Sequence, residues 1–384
     1  MIRKKIIHHE FIINCLLVCT SILFVLIAIE AGLRLVNYNP FGEFFESEGR
    51  AIFIRPAANK QRQYEAVPNA SGYGWETTIQ INSHGFRGRE YSKTKKPGTF
   101  RIVVIGDSIT FGNRLTQDQN YPAVLEALYQ RKGQPVEVLN LGLGGYDTLQ
   151  EVATLADIGL AFDPDLVILG YCINDIGIAS GNRQYVERLQ QYGRWMYRSR
   201  LLQWIRVHAD RILLKQAALS SGQKESFSDE YKDYLADISQ DENLLQQMKT
   251  LRELIDARET KFPYVRDYTS DVHLQRLRFA LEQLRGLQRT KTDSFDVLVL
   301  NFPFLLQDEK SRPVFQTIDK IIAHEAGRLG FKVVNLYPIF ASEELGQLLI
   351  TPDDGIHPNA RAHRLVAETL INTISTDNQS KTPH

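Results

Sequence analysis

Residues 101–110 read Arg101-Ile102-Val103-Val104-Ile105-Gly106-Asp107-Ser108-Ile109-Thr110: a β-branched apolar run, then a glycine, then two short polar residues. An unbroken apolar run of this length and composition predicts a strand buried on both faces, as a parallel sheet requires. Gly106 gives the chain freedom to turn at the strand's carboxyl end, and Asp107 or Ser108 can cap a helix that follows. The carboxyl ends of parallel strands share one edge, so a reactive side chain placed there faces a common crevice.

The same pattern recurs along the chain. Residues 136–141, 166–170, 297–301 and 332–336 read as four further strands. Helical spacing fills most of the intervals, at 121–131, 148–158 and 314–329, with a last helix over about 360–374. Strands alternating with helices predict an α/β fold, a three-layer α/β/α sandwich around a five-stranded parallel sheet. Between Asp175 and Asp296 the alternation stops. A structureless loop of about 120 residues is improbable inside a compact domain, so 176–295 is read as a helical insertion. Helical spacing shows in Tyr197, Leu201, Trp204 and Ile205 and again around 244–254. The Arg, Trp and Tyr mixture at 194–206 fits a stripe packing on the core better than a helix lying on a membrane surface.

Three more short segments follow predicted strands or approach the last helix. They are Asn140-Leu141-Gly142-Leu143-Gly144-Gly145, Ile173-Asn174-Asp175 and Asp354-Gly355-Ile356-His357. A serine alcohol is a weak nucleophile until a base accepts its proton, and His357 is the candidate base for Ser108. Asp354, three residues before it, can orient the ring, and the adjacent Asp353 is a second candidate that the residues alone leave open. Gly145 lets a backbone N–H approach an oxyanion closely, and Asn174 offers a side-chain N–H. Each segment alone has a plainer reading: a helix cap, a tight connection, an Asx turn or a polar turn. All four together supply a nucleophile, a base, an orienting carboxylate and oxyanion donors. Asp175 is assigned to turn structure.

In their order and spacing these segments resemble the SGNH (GDSL-type) hydrolase superfamily, with Ser108, Gly145, Asn174 and His357 at the four name-giving positions. The first block reads Gly-Asp-Ser-Ile instead of Gly-Asp-Ser-Leu, and Ile173 stands where a glycine often precedes the Asn. The resemblance implies a flavodoxin-like SGNH fold and a catalytic set of Ser108, Asp354 and His357. It implies an oxyanion hole made by Ser108, Gly145 and Asn174, with no cofactor and no metal. The implied reaction is ester chemistry through an acyl-serine; the expected substrate, an acylated carbohydrate, lipid or envelope polymer, rests on the extracytoplasmic placement read from the N-terminal segment. An O-acyltransferase to a polysaccharide shares that intermediate, and a non-catalytic binding protein of the same fold is the reading from another class. A segment like Asn82-Ser83-His84-Gly85-Phe86-Arg87 precedes the serine block in many membrane-anchored members. Arg87 is accordingly a possible substrate-binding residue, with a structural role in the turn as the favoured alternative.

Composition narrows the field further. A length of 384 residues suggests a core with additions, and a formal net charge of zero gives no case for nucleic acid as a partner. The sequence names no protein partner. Cys15, Cys19 and Cys172 are too few for a disulfide framework, and Cys172, among apolar neighbours, reads as a buried structural thiol. No spaced Cys/His cluster points to zinc. The Gly-x-Ser-x-Gly elbow, the phosphate loop and the dinucleotide fingerprint are all missing. A metal phosphoesterase built on Asp107, Asp175, Asp354 and His357 would leave the Ser and Gly positions without a role.

Residues 11–29 are almost continuously apolar, a helix of about 28 Å, long enough for the hydrocarbon core. Arg3, Lys4 and Lys5 precede the run, which predicts a single-pass anchor with a cytoplasmic N-terminus and the rest extracytoplasmic, periplasmic if the source is Gram-negative. A cleaved signal peptide fits less well, because Ile29-Glu30-Ala31 is a poor cleavage site, and Val18 before Cys19 argues against a lipoprotein signal. The expected organisation is an anchor at 1–36, a linker and small strand-bearing extension at 37–96, a hydrolase domain at 97–376 and a disordered tail at 377–384.

Overall fold

The structure is a computed structural model and describes residues 2–36, 53–74, 76–177, 199–202, 204–205, 237–257, 262, 264–290 and 295–380. The chain divides into two compact units, 1–50 with 188–226, and 51–187 with 227–384. In the first unit the apolar run lies in helix α1 (Ile2–Leu35). Within it Ile13–Leu35 is long and apolar enough to cross a membrane. Near the end of α1, Glu30 accepts the N–H groups of Arg200 and Leu201 and the Ser199 hydroxyl. A carboxylate thus satisfies the free donors where the helical residues after Ser199 begin.

The second unit opens with two hairpins. Strand β1 (Ile54–Pro56) pairs antiparallel with β2 (Tyr64–Ala66), and β3 (Ser71–Gly74) with β4 (Thr77–Gln80). Burial alternates along β4, as expected of a strand with one face covered. In the turn at 82–87 the Asn82 side chain accepts from the N–H groups of His84 and Phe86, and Gly85 takes a φ of 85°.

Strands β5 (Phe100–Gly106), β6 (Val136–Asn140), β7 (Leu166–Tyr171), β8 (Asp296–Asn301) and β9 (Lys332–Asn335) form the parallel sheet in the order β6-β5-β7-β8-β9. Ile102, Val103, Val104 and Ile105 of β5 are all 0% exposed, which explains why the run has no polar alternation. The chain steps from β5 to one side for β6 and to the other for β7. Such a reversal opens a crevice at the strands' carboxyl ends.

Helices α2 (Tyr121–Arg131), α3 (Thr148–Asp157), α4 (Glu242–Ala257), α5 (Asp271–Thr290), α6 (Arg312–Arg328) and α7 (Ala360–Ser380) complete the sandwich. α2 packs on α7, α3 on α5, and α4 on α6. The insertion contributes α4 and α5, and the spacing read around 244–254 lies within α4. Tyr197 lies outside the described residues. Arg278 of α5, 1% exposed, forks onto Glu325 of α6 and also reaches Asp237 and Asp241. That guanidinium already neutralises the Asp241, His324 and Glu325 group, which would otherwise suit a cation. The last helix runs to Ser380, past residue 376 where the disordered tail was expected, because the chain meets no helix breaker before Pro383.

Candidate active site

The end of β5 sets the first residue. Asp107 caps the one-turn helix Ser108–Phe111, its Oδ1 accepting the Ile109 N–H at 2.8 Å, while its Oδ2 lies 3.1 Å from the Ser108 hydroxyl. The turn fits only because the strand ends are bare. A Cβ on Gly106 would lie 2.1 Å from Thr110 Oγ1, and one on Gly170 of β7 2.5 Å from it.

The loop between β9 and α7 brings the other two. Ile350 N–H donates to the His357 carbonyl and Leu305 N–H to the Gly355 carbonyl, fixing the segment over the end of the sheet. Ser108 Oγ lies 2.8 Å from His357 Nε2, and His357 Nδ1 lies 2.7 Å from Asp354 Oδ2. An ionised carboxylate can only accept, so Nδ1 carries the hydrogen and Nε2 is left to accept from Ser108. Asp354 Oδ1 also accepts the N–H groups of Ile356 and His357. Burial works against ionisation of Asp354, but these bonds and the imidazole win and hold its pKa down to about 2.

Two flanking strands deliver the donors. Gly145, past β6, adopts a φ of 82°, a conformation that favours glycine. Among the described residues neither its N–H nor that of Ser108 has an acceptor. Asn174 lies in the turn after β7, where its Oδ1 takes the Cys172 thiol and its Nδ2 donates to Asp107 Oδ2 at 3.2 Å. Nδ2 carries a second hydrogen for another acceptor. A hydroxyl, a base, a carboxylate and three N–H sources therefore meet where the sheet reverses.

The GDSL-like lipase/acylhydrolase family matches residues 104–365. The chain belongs to that family. It is accordingly an SGNH-type serine esterase, a deacylating hydrolase. Three solved structures illustrate the range of similar folds. An acetylxylan esterase mutant from Geobacillus stearothermophilus is 14% identical over 73% of this chain and 95% of that one, with a TM-score of 0.38. A lipase/acylhydrolase from Enterococcus faecalis is 13% identical over 72% and 96%, TM-score 0.38. An α/β hydrolase from the metagenome of Lake Arreo is 17% identical over 71% and 94%, TM-score 0.36. No curated protein matches the chain.

Around this acylhydrolase site the remaining residues sort by what they touch. Of the two roles open to Arg87, the contacts fit the favoured structural one and not substrate binding: it is 1% exposed and donates to the carbonyls of Phe111, Gly112 and Leu115. Its guanidinium braces the loop after Ser108 and has no surface for a substrate group. The Cys172 thiol is buried, and that burial, helped by the charges of Asp107 and Asp175, pushes its pKa well up, as suits a structural thiol. Asp175 Oδ2 accepts the Cys172 N–H, so this acid is spent on the turn. Asp354 is bonded to His357, and Asp107 to Ile109, Ser108 and Asn174.

Three neighbours had no signal in the sequence. Arg114, at a φ of 63°, brings Nη1 to 3.9 Å from Asp354 Oδ2. Glu151 of α3 is 0% exposed, and neither of its oxygens has a hydrogen-bond partner among the described residues. Burial pushes Glu151 and Asp175 upward, and nearby carboxylates add to both. Tyr64 donates to the Gly144 carbonyl.

Proposed function

We propose that this acylhydrolase is an extracytoplasmic serine esterase that works through an acyl-Ser108 on an acylated carbohydrate, lipid or envelope polymer. One observation carries the catalytic part: the continuous Ser108–His357–Asp354 line, with bonds of 2.8 and 2.7 Å. Ser108 Oγ attacks the ester carbonyl carbon as His357 Nε2 takes its proton, and Asp354 stabilises the imidazolium. The oxyanion that forms draws on the N–H groups of Ser108 and Gly145 and on Asn174 Nδ2. Collapse expels the alcohol, which collects the proton from Nε2 and leaves Ser108 acylated. Water then repeats the sequence and frees the acid. The extracytoplasmic part rests on the Ile13–Leu35 helix and on Arg3, Lys4 and Lys5 ahead of it. Ester-bearing envelope polymers are the substrates such a position offers.

The test uses the full chain in detergent with p-nitrophenyl acetate and a fluorophosphonate probe. Wild type forms a Ser108 adduct, and Ser108→Ala or His357→Ala lowers turnover by about 10³- to 10⁶-fold, because such residues act as a unit. Near-wild-type turnover by either folded variant overturns the assignment. Added oligosaccharide leaves the rate of acetate release unchanged for a hydrolase. Acetylated sugar as the main product would make the protein an O-acyltransferase.

A further inference from the structure

An oxyanion donor works only if it is held on target, and the Gly144-Gly145 peptide joins the two residues with the least restraint of their own. The restraint comes from the β1–β2 hairpin. Tyr64 of β2 donates its phenolic hydrogen to the Gly144 carbonyl at 2.9 Å. That carbonyl and the Gly145 N–H belong to one planar trans peptide, so they point in opposite directions and fixing one aims the other. A hydrogen bond to the carbonyl also polarises the amide and strengthens its N–H as a donor.

The phenol is itself locked. Tyr146 Oη donates back to the Tyr64 carbonyl at 2.6 Å, and the two rings sit 5.0 Å apart. Both residues are 2% exposed. Gln150, which completes the capping box of α3, donates to the Arg62 carbonyl at 2.8 Å. Arg62 in turn pairs with Glu65 and Asp157. The hairpin is therefore tied at four points to the loop that carries Gly145 and the helix that follows it. Tyr64 lies outside residues 104–365, so this tie is an addition to the family's own span.

We propose that Tyr64 is a positioning residue for the oxyanion hole, acting through the Gly144 carbonyl to present the Gly145 N–H to the oxyanion. The proposal rests on Ser108 being the nucleophile. A better-aimed donor stabilises the transition state and not the bound ester, so its loss lowers kcat and leaves KM alone.

Tyr64→Phe keeps the ring and its packing and removes one hydroxyl. Deleting a whole oxyanion donor costs about 10²- to 10³-fold in kcat, so loosening one is expected to cost about 5- to 50-fold. With p-nitrophenyl acetate, kcat falls in that range and KM stays within about twofold. Inactivation by the fluorophosphonate slows by a similar factor, because the adduct's oxygen occupies the same hole. Tyr146→Phe, which loosens the clamp but leaves the bond to Gly144, shows a smaller loss in both readouts. Thermal melting verifies folding, and a Tyr64→Phe protein that does not fold leaves the decision to Tyr146→Phe. Unchanged kcat and inactivation rate in a folded Tyr64→Phe overturn the proposal, as does a rise in KM with kcat intact. No Ser108-dependent turnover by wild type would bring down the catalytic reading first, and this one with it.

Discussion

Asp354 is tied to its loop by two backbone N–H groups and to His357 by the ring, and this is why its carboxyl stays ionised to about pH 2. An acid whose pKa is lower in the folded chain contributes stability above its unfolded value, here 3.8, and loses it as pH falls through the folded value. A depression of that size is worth up to about 2.4 kcal/mol. Asp354→Asn cannot titrate. Urea unfolding at pH 7 and at pH 2 is therefore expected to show wild type losing more stability than the variant, by up to that amount, over this window. Equal losses would mean that the carboxylate contributes nothing to holding the loop. The pair was legible in the sequence because a three-residue spacing puts both groups on one turn. Arg87 was legible only in part. Its motif marked the turn, but the carbonyls it binds lie 24 to 28 residues away, and nothing local reveals them.

Among the elements, the three central sheet strands β5, β7 and β8 were readable because each is a short, largely apolar run buried on both faces, with a turn at its carboxyl end. The hairpins were anticipated only as a small strand-bearing extension and not as parts of the site, because Tyr64 meets Gly144 across 80 residues. Helix α3 hides a further feature of this kind. The helix packs against β5 and Glu151 is buried within it, and the acid was invisible as a buried residue because its sequence neighbours give it ordinary helical company. Burial pushes its pKa well above 4.5. A carboxyl raised in the folded state contributes stability fully below its unfolded value and loses it as pH rises towards the folded one. Each pH unit in that window corresponds to about 1.4 kcal/mol. Glu151→Gln removes the ionisation and keeps the shape. Its melting temperature is expected to equal or trail wild type near pH 4 and to exceed it at pH 8. A variant less stable than wild type at pH 8 would show that the charged form is accommodated.

At the scale of the whole molecule, an esterase of this family joins a helix that is long and apolar enough to cross a membrane. The physical argument for orientation is charge. Arg3, Lys4 and Lys5 precede the helix, whereas Glu43, Glu46 and Glu48 lie in the stretch after it, and basic residues are retained on the cytoplasmic side. The 23 residues Ile13–Leu35 are also long enough to span the hydrocarbon core with some tilt. Two reporters fused after His384 separate the outcomes. A phosphatase that folds only outside the cytoplasm is expected to be active, and a fluorescent protein that matures only inside is expected to be dark. The full-length fusion is expected to stay in the membrane pellet after alkaline carbonate washing. The reverse reporter pattern would put the ester chemistry in the cytoplasm and remove envelope polymers as substrates. A shortened soluble form outside the cell membrane would instead mean that the helix is cut away, leaving the outward orientation intact and the anchor transient.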